Sequence, residues 1–588
     1  MNKKIRNFAI IAHIDHGKTT LTDRLLEITG AEKADHQRVL DSHPIEQERG
    51  VTIKLAPVTL SYQHNNQDYQ LNLIDTPGHI DFNYEVERSL AACEGALLLV
   101  DASQGIQAQT ITNLELAKKQ DLKIIPIINK VDLQSAQVEA TKKSLQKLIP
   151  QAPEPLLVSA KTGKNADQVL TQVVQKIPAP KGEDKPLRAL VFNSVYDQHL
   201  GVVAFVRIVD GSLSQPDKLK LLQTKQDFSA TQIGIFTPQM TETTKLSTGQ
   251  VGYIATGLKD IKKVKVGETI TLHNQTPEPL PGYRTIVPNV YLELYPQDNA
   301  RHNQLRSALS QIELHDAALS ITPTSSPALG HGFRVGFLGL FHADIIKDRL
   351  KQDFDLDVTL TSPSVKYLVS LQDGTRKYIT RPSQYPDPSK IETTKEPMAQ
   401  VTVIAPDDYL GPLIQLLETL RGTMENTQYI NPQTVKLTYK VPLIEVITHL
   451  HDNVKTVSSG FASVDYKPTG YQEVNLLKLE VLLNKESVEP LARLEVEKKA
   501  ESTARELAKK LKEILPRHQF EVPIQIKVGG KIIARETKPA VRKNVTAKLY
   551  GGDRTRRMKL LENQKAGKKK LQRIGSVNLP PEAFKLDV

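Results

Sequence analysis

Between residues 5 and about 180 apolar runs alternate with amphipathic stretches, and this alternation constrains the fold more than any other feature of the chain. NFAIIAHI (7–14), QLNLIDTP (70–77), GALLLVDA (95–102), LKIIPIINK (122–130) and PLLVSAK (155–161) read as buried strands, with helix-like segments such as TTLTDRLLEI and QTITNLELAKKQ between them. Strands that alternate with helices imply a mostly parallel sheet covered on both faces. Such sheets bind ligands at the carboxyl ends of their strands, which is where the chemically distinctive loops of this chain fall.

The first loop reads Ala12-His13-Ile14-Asp15-His16-Gly17-Lys18-Thr19-Thr20. Four free positions followed by Gly-Lys-Thr form a phosphate loop, with alanine in place of the first glycine. Backbone amides from Asp15 to Thr20 and the N-terminus of the following helix converge on anionic oxygens. Lys18 is expected to bridge the outer phosphates and the Thr19 hydroxyl to reach magnesium, whereas His13 reads as a packed neighbour. In LIDTPGH (73–79), Asp75 ends a strand and can hold a magnesium-bound water, and Gly78 can bring a backbone amide to a terminal phosphate. Taken alone, DTPG is also a good turn sequence. In IINKVD, Asn129, Lys130 and Asp132 follow a strand, and a carboxylate there can accept both N1–H and the exocyclic amine of guanine. Adenine would leave that charge unpaired, a discrimination of about 10⁴ or more for such a site. Ser159, Ala160 and Lys161 follow the next strand, and their backbone can close over the base. Four patterns in order, each at a strand end, specify GTP and GDP with Mg2+ as ligands.

The remaining chain divides by composition. A first domain is expected over 1–184, ending in the proline-rich KIPAPKGEDKPLRAL; 185–282 lacks helical periodicity and reads as a small β-barrel. Residues 283–364 and 398–480 each run strand, helix, strand, helix, as ferredoxin-like α+β units do. The stretch 365–397 reads as a polar linker, and 481–588 as a final domain in which residues 489–515 form a long charged helix with a Leu/Ala packing stripe. The fold class is therefore multidomain: α/β, then β-barrel, then α+β. No apolar run approaches the ~18 to 20 residues of a membrane span, and the N-terminal apolar stretch leads into the phosphate loop rather than a cleavage site. A single cysteine, Cys93, forbids an intramolecular disulfide and points to a reducing, cytoplasmic setting.

Charge is unevenly placed. Residues 531–588 hold 16 Lys and Arg against 5 Asp and Glu, which leaves 61 of each sign in the first 530 and the whole net charge of +11 in the tail. A solvated basic tail is one reading; attraction to a polyanion, either nucleic acid or an anionic membrane face, is the other. Gly551, Gly552 and Asp553 read as a tight turn, the following Arg and Lys residues as phosphate contacts, and Tyr550 as either a base-stacking or an ordinary tyrosine.

On these motifs the sequence resembles the translational GTPases. RGVTIK (49–54) is similar to their first switch, which implies for Thr52 a magnesium contact made only while the terminal phosphate is present; DTPGHIDF is similar to their second, which implies that His79 orients the attacking water once a ribosome engages. Without a domain between the two α+β units, and with the tail IIARETKPAVRKNVTAKLYGGDRTRRMKLLENQKAGKKKLQRIGSVNLPPEAF, the chain resembles the LepA or elongation factor 4 family over essentially its whole length. That resemblance implies a monomeric, ribosome-stimulated GTP hydrolase, cytoplasmic with peripheral contact to the membrane. Its partners would be the 70S ribosome and, through the C-terminal domain, tRNA, and its role back-translocation in support of fidelity. A translocation or recycling GTPase akin to elongation factor G, and a membrane-surface GTPase switch, stand as alternatives. The sequence departs from the family pattern at Val335, Ala343, Asp344 and Leu549, none of them in the nucleotide motifs.

Overall fold

The computed structural model describes residues 3–584 apart from 32–39, 41–43, 184, 216, 283–286, 317, 328, 542–553, 575–576 and 578. Tyr550 and the turn expected over 551–553 lie outside the described residues, as does Leu549.

The first domain is built on a six-stranded sheet in the order Ala56–His64, Gln67–Asp75, Ile5–Ala12, Gly95–Asp101, Lys123–Asn129, Leu156–Leu157. All neighbours pair in parallel except the first two, which form an antiparallel hairpin. Helices Lys18–Ile28 and Ala166–Lys176 bury Leu21, Leu25, Val169 and Val173 on one face. On the other, Asn83–Ala91, Ala108–Lys119 and Val138–Leu148 bury Val86, Leu90, Leu114 and Leu145. Burial on both faces explains why the strands read as continuous apolar runs rather than alternating ones.

The second domain is an eight-stranded antiparallel β-barrel, from Arg188–Asp197 to Thr269–Leu272, with one shared core that includes Val191, Val206, Leu219, Ile254 and Ile270. Phe192, Phe205 and Tyr253 on its outside join the core of the first domain. The third domain is a βαββαβ unit with strand order Ser320–Ser326, Gly330–Phe337, Val290–Pro296, Val358–Leu360. Helices His302–Glu313 and Leu340–Phe354 pack on that sheet.

The fourth unit repeats this order with Thr423–Asn431, Thr434–Pro442, Ile391–Pro406 and Ser463–Glu473. Here the expected linker over 365–397 is corrected. Tyr367–Leu371 and Arg376–Ile379 form a hairpin that pairs with the start of the 16-residue strand Ile391–Pro406, which itself begins inside the supposed linker. The segment is polar overall, but Val365, Tyr367 and Val369 fall on alternate positions and all three are buried in the domain core. That period of two is the strand signal, and average polarity conceals it.

A second correction concerns 489–515. Arg493–Val496 is a strand paired with Leu476–Leu483, and the helix spans only Ala500–Ile514. Its Leu and Ala stripe does pack: Ala504, Leu507, Ala508 and Leu511 are buried against the last sheet. Beyond it, Arg554–Ile574 is a 21-residue helix with mostly exposed side chains, anchored where the Gln572 side chain donates to the Glu521 carbonyl (3.0 Å) and Lys568 to that of Val541 (2.9 Å).

Candidate active site

The phosphate loop leaves the strand Ile5–Ala12 and enters the helix Lys18–Ile28. Its two left-handed residues are Asp15 (φ 62°) and Gly17 (φ 90°), not Ala12. Alanine at position 12 therefore costs the loop nothing: it ends the strand, buried, with its carbonyl held by Asn113 Nδ2 at 3.2 Å. Glycine is required at 17 on two counts. Its φ is one that side chains avoid, and a Cβ would lie 2.5 Å from Asn129 Nδ2. The first intrahelical bond runs from Leu21 N–H to the Gly17 carbonyl (3.0 Å), and no side chain caps the helix. The amides of Lys18, Thr19 and Thr20 are thus first-turn donors of the kind that bind phosphate.

His16 turns inward. Its Nδ1 accepts from Asp101 N–H at 3.2 Å, and burial, with His13 beside it, pulls its pKa down to about 3, so the ring is neutral. His13 packs edge-on against it at 5.1 Å and is held to about 4, chiefly by burial. Neither ring therefore brings charge to the loop.

Beside the start of the helix, Lys18 Nζ lies 2.8 Å from Asp75 Oδ1 and 3.4 Å from Thr52 Oγ1, whose hydroxyl is 3.4 Å from that of Thr19. Thr22 Oγ1 donates to the same Asp75 oxygen at 3.3 Å, while Asp75 Oδ2 is buried with no hydrogen-bond partner. Two hydroxyls within contact of each other and an orphaned carboxylate oxygen fit a hard divalent cation that takes its other oxygens from phosphate and water. Among the described residues no cluster of three or more His, Cys, Asp or Glu is arranged to hold a metal by itself. Gly78 approaches the phosphate loop, its Cβ position 3.8 Å from Ile14 Cγ1.

The opposite end of the site is organised by Asn129. Its Nδ2 donates to the His16 carbonyl (3.0 Å) and its Oδ1 accepts from Ala160 N–H (3.0 Å), which ties the phosphate loop to Ser159-Ala160-Lys161. Lys130, with φ 60°, spans the Asp15 carbonyl (2.7 Å) and Asp101 Oδ2 (2.8 Å). Asp132 is exposed, and a hydrogen bond from Ser159 holds its carboxyl below the usual range, so it is an ionised acceptor. Lys161 is exposed, and its carbonyl is fixed by Arg24 at 3.1 Å.

His79 begins a short 3-10 turn, Ile80–Phe82, where its Nδ1 accepts from Asp81 N–H at 3.1 Å. The ring stacks on Phe341 of the third domain, centroids 4.1 Å apart, and burial depresses its pKa. Arg49 of the first switch pairs with Asp348 and lies over the Phe341 ring, while Arg88 lies over Tyr84. Both arginines are thereby committed away from the phosphate loop. Sequence reasoning did not find Phe341, Asp316 or His342, which close this side of the site from the third domain, or Asp101, which orders the loop; no local pattern marks them.

Four family models cover most of the chain: Elongation factor Tu GTP binding domain over residues 3–179, Elongation factor Tu domain 2 over 201–271, Elongation factor G C-terminus over 393–482 and GTP-binding protein LepA C-terminus over 483–586. Elongation factor 4 of Acetivibrio thermocellus is 49% identical, spanning 99% of this chain and 98% of that protein. The chain belongs to the elongation factor 4 family. Family members from Geobacillus thermodenitrificans and Aquifex aeolicus are each 48% identical, over 99% of this chain and 97% and 98% of theirs. A solved structure from Thermus thermophilus shares the fold, with a TM-score of 0.56 at 17% identity over 80% of this chain and 98% of that one. As a member of the elongation factor 4 family the chain carries the GTPase domain, barrel and C-terminal modules of a translational GTPase, so the expected fold class stands.

Proposed function

We propose that this chain is a ribosome-dependent GTPase that hydrolyses GTP to GDP and phosphate and acts on tRNA-loaded 70S ribosomes from the cytoplasm. The observation that carries the reading is the convergence of Lys18, Thr19, Thr52 and Asp75 at one end of a cleft and of Asn129, Lys130, Asp132 and Ser159 at the other. The first group suits magnesium and the outer phosphates; Asp132 suits the guanine edge. Magnesium, when bound, neutralises charge that develops on the transferred phosphoryl oxygens.

The residues of the chain then act as follows. The amides of Asp15 to Thr20 and the Lys18 ammonium hold the phosphates, and Gly78 offers its amide to the terminal one. Thr19 and Thr52 would supply hydroxyls to the metal, and Asp75 would act on it through a water. His79 orients the attacking water. Because Nδ1 accepts from Asp81 N–H, the neutral ring carries its hydrogen on Nε2 and donates to that water rather than taking its proton. Arg49 and Arg88 are engaged elsewhere, so neither is placed to stabilise transferred charge, and slow intrinsic turnover is the expected outcome. The ribosome is the activator in this reading.

The C-terminal match and the direct succession of the two α+β units support a role in reversing tRNA movement rather than driving it, with the basic helix Arg554–Ile574 contacting tRNA phosphates. The protein would act as a monomer. The same lysines attract an anionic bilayer, and no helix among the described residues is long and apolar enough to cross one.

The test is GTP hydrolysis with and without purified 70S ribosomes, for the parent and for His79→Ala. Strong ribosome stimulation that His79→Ala abolishes supports the reading. Absent stimulation, together with salt-sensitive binding to anionic liposomes, would put the membrane-surface switch first. For the tail, neutralising Arg557, Lys559, Lys565 and Lys570 together is preferable to truncation before residue 531. That cut would delete the strand Lys531–Lys538, which pairs with Val522–Val528.

A further inference from the structure

Asp81 follows His79 by two residues, yet its side chain belongs to a junction of three domains. One carboxylate oxygen, Oδ2, accepts from His342 N–H at 3.2 Å, the third amide of the helix Leu340–Phe354 in the third domain. The other, Oδ1, accepts from the Tyr466 hydroxyl at 3.4 Å, on the strand Ser463–Glu473 of the fourth. The carboxylate occupies the space beside Gly339, which precedes that helix: a Cβ there would stand 2.1 Å from Asp81 Oδ1 and displace it. The carboxylate is almost wholly buried, and it satisfies a helix N-terminus that no side chain of its own domain caps. Meanwhile the Asp81 backbone amide is the group that holds His79 Nδ1. The charged and titratable groups around it are His79 from its own turn, His342 paired with Asp316 at 2.8 Å, and Tyr466.

We propose that Asp81 is a positioning residue that makes GTP hydrolysis conditional on the packing of the GTPase domain against both α+β domains. Its carboxylate is anchored by His342 N–H and Tyr466, and its amide thereby holds the His79 ring in a defined orientation. A rotation of either domain that breaks an anchor frees the turn Ile80–Phe82 and, with it, the direction of His79 Nε2. The inference rests on the assignment of His79 given above, and the two are separable by experiment.

Ribosome-stimulated hydrolysis and fluorescent GTP binding are measured on the full chain for Asp81→Ala, Asp81→Asn, Tyr466→Phe, His79→Ala and the Asp81→Ala/His79→Ala double variant. Asp81→Ala is expected to lower kcat by about tenfold or more while the GTP Kd and the KM for ribosomes change less than about twofold. Asp81→Asn, which keeps an acceptor oxygen, restores most of the rate, and the double variant is no slower than His79→Ala alone, because both act through one group. Parental kcat in Asp81→Ala, a loss confined to KM, or a double variant slower than His79→Ala overturns the proposal. If Asp81→Ala does not fold, Tyr466→Phe decides it: a kcat loss of about threefold at unchanged GTP Kd is expected, and an unchanged kcat overturns it. His79→Ala at the parental rate is a failure of the assignment of His79, read from that variant alone.

Discussion

The nucleotide cleft and the cavity where the last three domains meet are both lined by buried charge, but they dispose of it differently. In the cleft Lys18 and Lys130 each face a single carboxylate, Asp75 and Asp101, and one oxygen of Asp75 is left without a partner. The cavity, of about 380 Å³, is bounded by the third domain, the hairpin over 367–379, the fourth domain and the final one. There Glu293 is paired with both Arg334 and Arg381, and Glu445 with both Arg421 and Lys499. Arg421 also grips Glu396 through both of its terminal nitrogens, at 2.7 and 3.0 Å. Burial opposes the charge on Glu445, but Lys499 and Arg421 overcome it and hold its pKa below the ordinary value. A site built for a ligand leaves charge for the ligand to complete, whereas carboxylates already flanked by two cations hold domains together.

Substitutions that remove a cation from each region test that difference. The largest effect is expected from Lys18→Ala, which should weaken GTP binding by about 100-fold or more, measured by fluorescent nucleotide titration. The Asp75 carboxylate it leaves is buried, so a stability cost in the first domain accompanies the loss of binding. Arg421→Ala should separate the two effects: GTP affinity is unchanged, and the urea transition of the last two domains moves by about 2–3 kcal/mol, since Glu396 and Glu445 lose a shared buried partner. Loss of nucleotide binding in Arg421→Ala would break the comparison.

A smaller effect sharpens it. Asp465 of the fourth domain sits against the helix Ala108–Lys119, with Thr112 bonded to Oδ2, Oδ1 without a partner and, among the described residues, Glu115 rather than a cation as its charged neighbour. Burial raises its pKa to about 6 from 3.8. A raised folded-state pKa means that its contribution is full below about pH 4 and is lost as pH rises through about 6. Asp465→Asn is therefore expected to flatten that part of the pH–stability curve and to add about 1 kcal/mol at pH 7–8, read from denaturation at several pH values. An orphaned acceptor beside a lysine marks a ligand site; one without a cation marks a cost.

Much of the proposed nucleotide site is legible in the chain because its parts are local. A phosphate loop, a strand-terminal Asp75 and an Asn129-Lys130-Asp132 turn are each set by a few consecutive residues, and strand alternation places them at one edge of one sheet. Even the missing first glycine resolves locally, since position 12 is still strand and the left-handed turn comes at Asp15 and Gly17. The hairpin at 367–379 was concealed by averaging over polar neighbours, and the strand Arg493–Val496 by a charge pattern that suits a helix equally well. Its partner, Leu476–Leu483, supplies the pairing that decides between them.

By itself, the sequence determined the local motifs from which a guanine-nucleotide site is proposed, the fold classes of the folded units, and the confinement of excess positive charge to the last 58 residues. Only the tertiary structure decided where His79 points, that Asp81 joins three domains, and that Arg49 and Arg88 are spent on Phe341, Asp348 and Tyr84. The physical reason is range. Loop conformation and strand burial are set by neighbours along the chain, whereas Asp81 and His342 stand 261 residues apart, and Asp81 and Tyr466 are separated by 385. Contacts at that distance depend on how whole domains pack, and no short pattern encodes them.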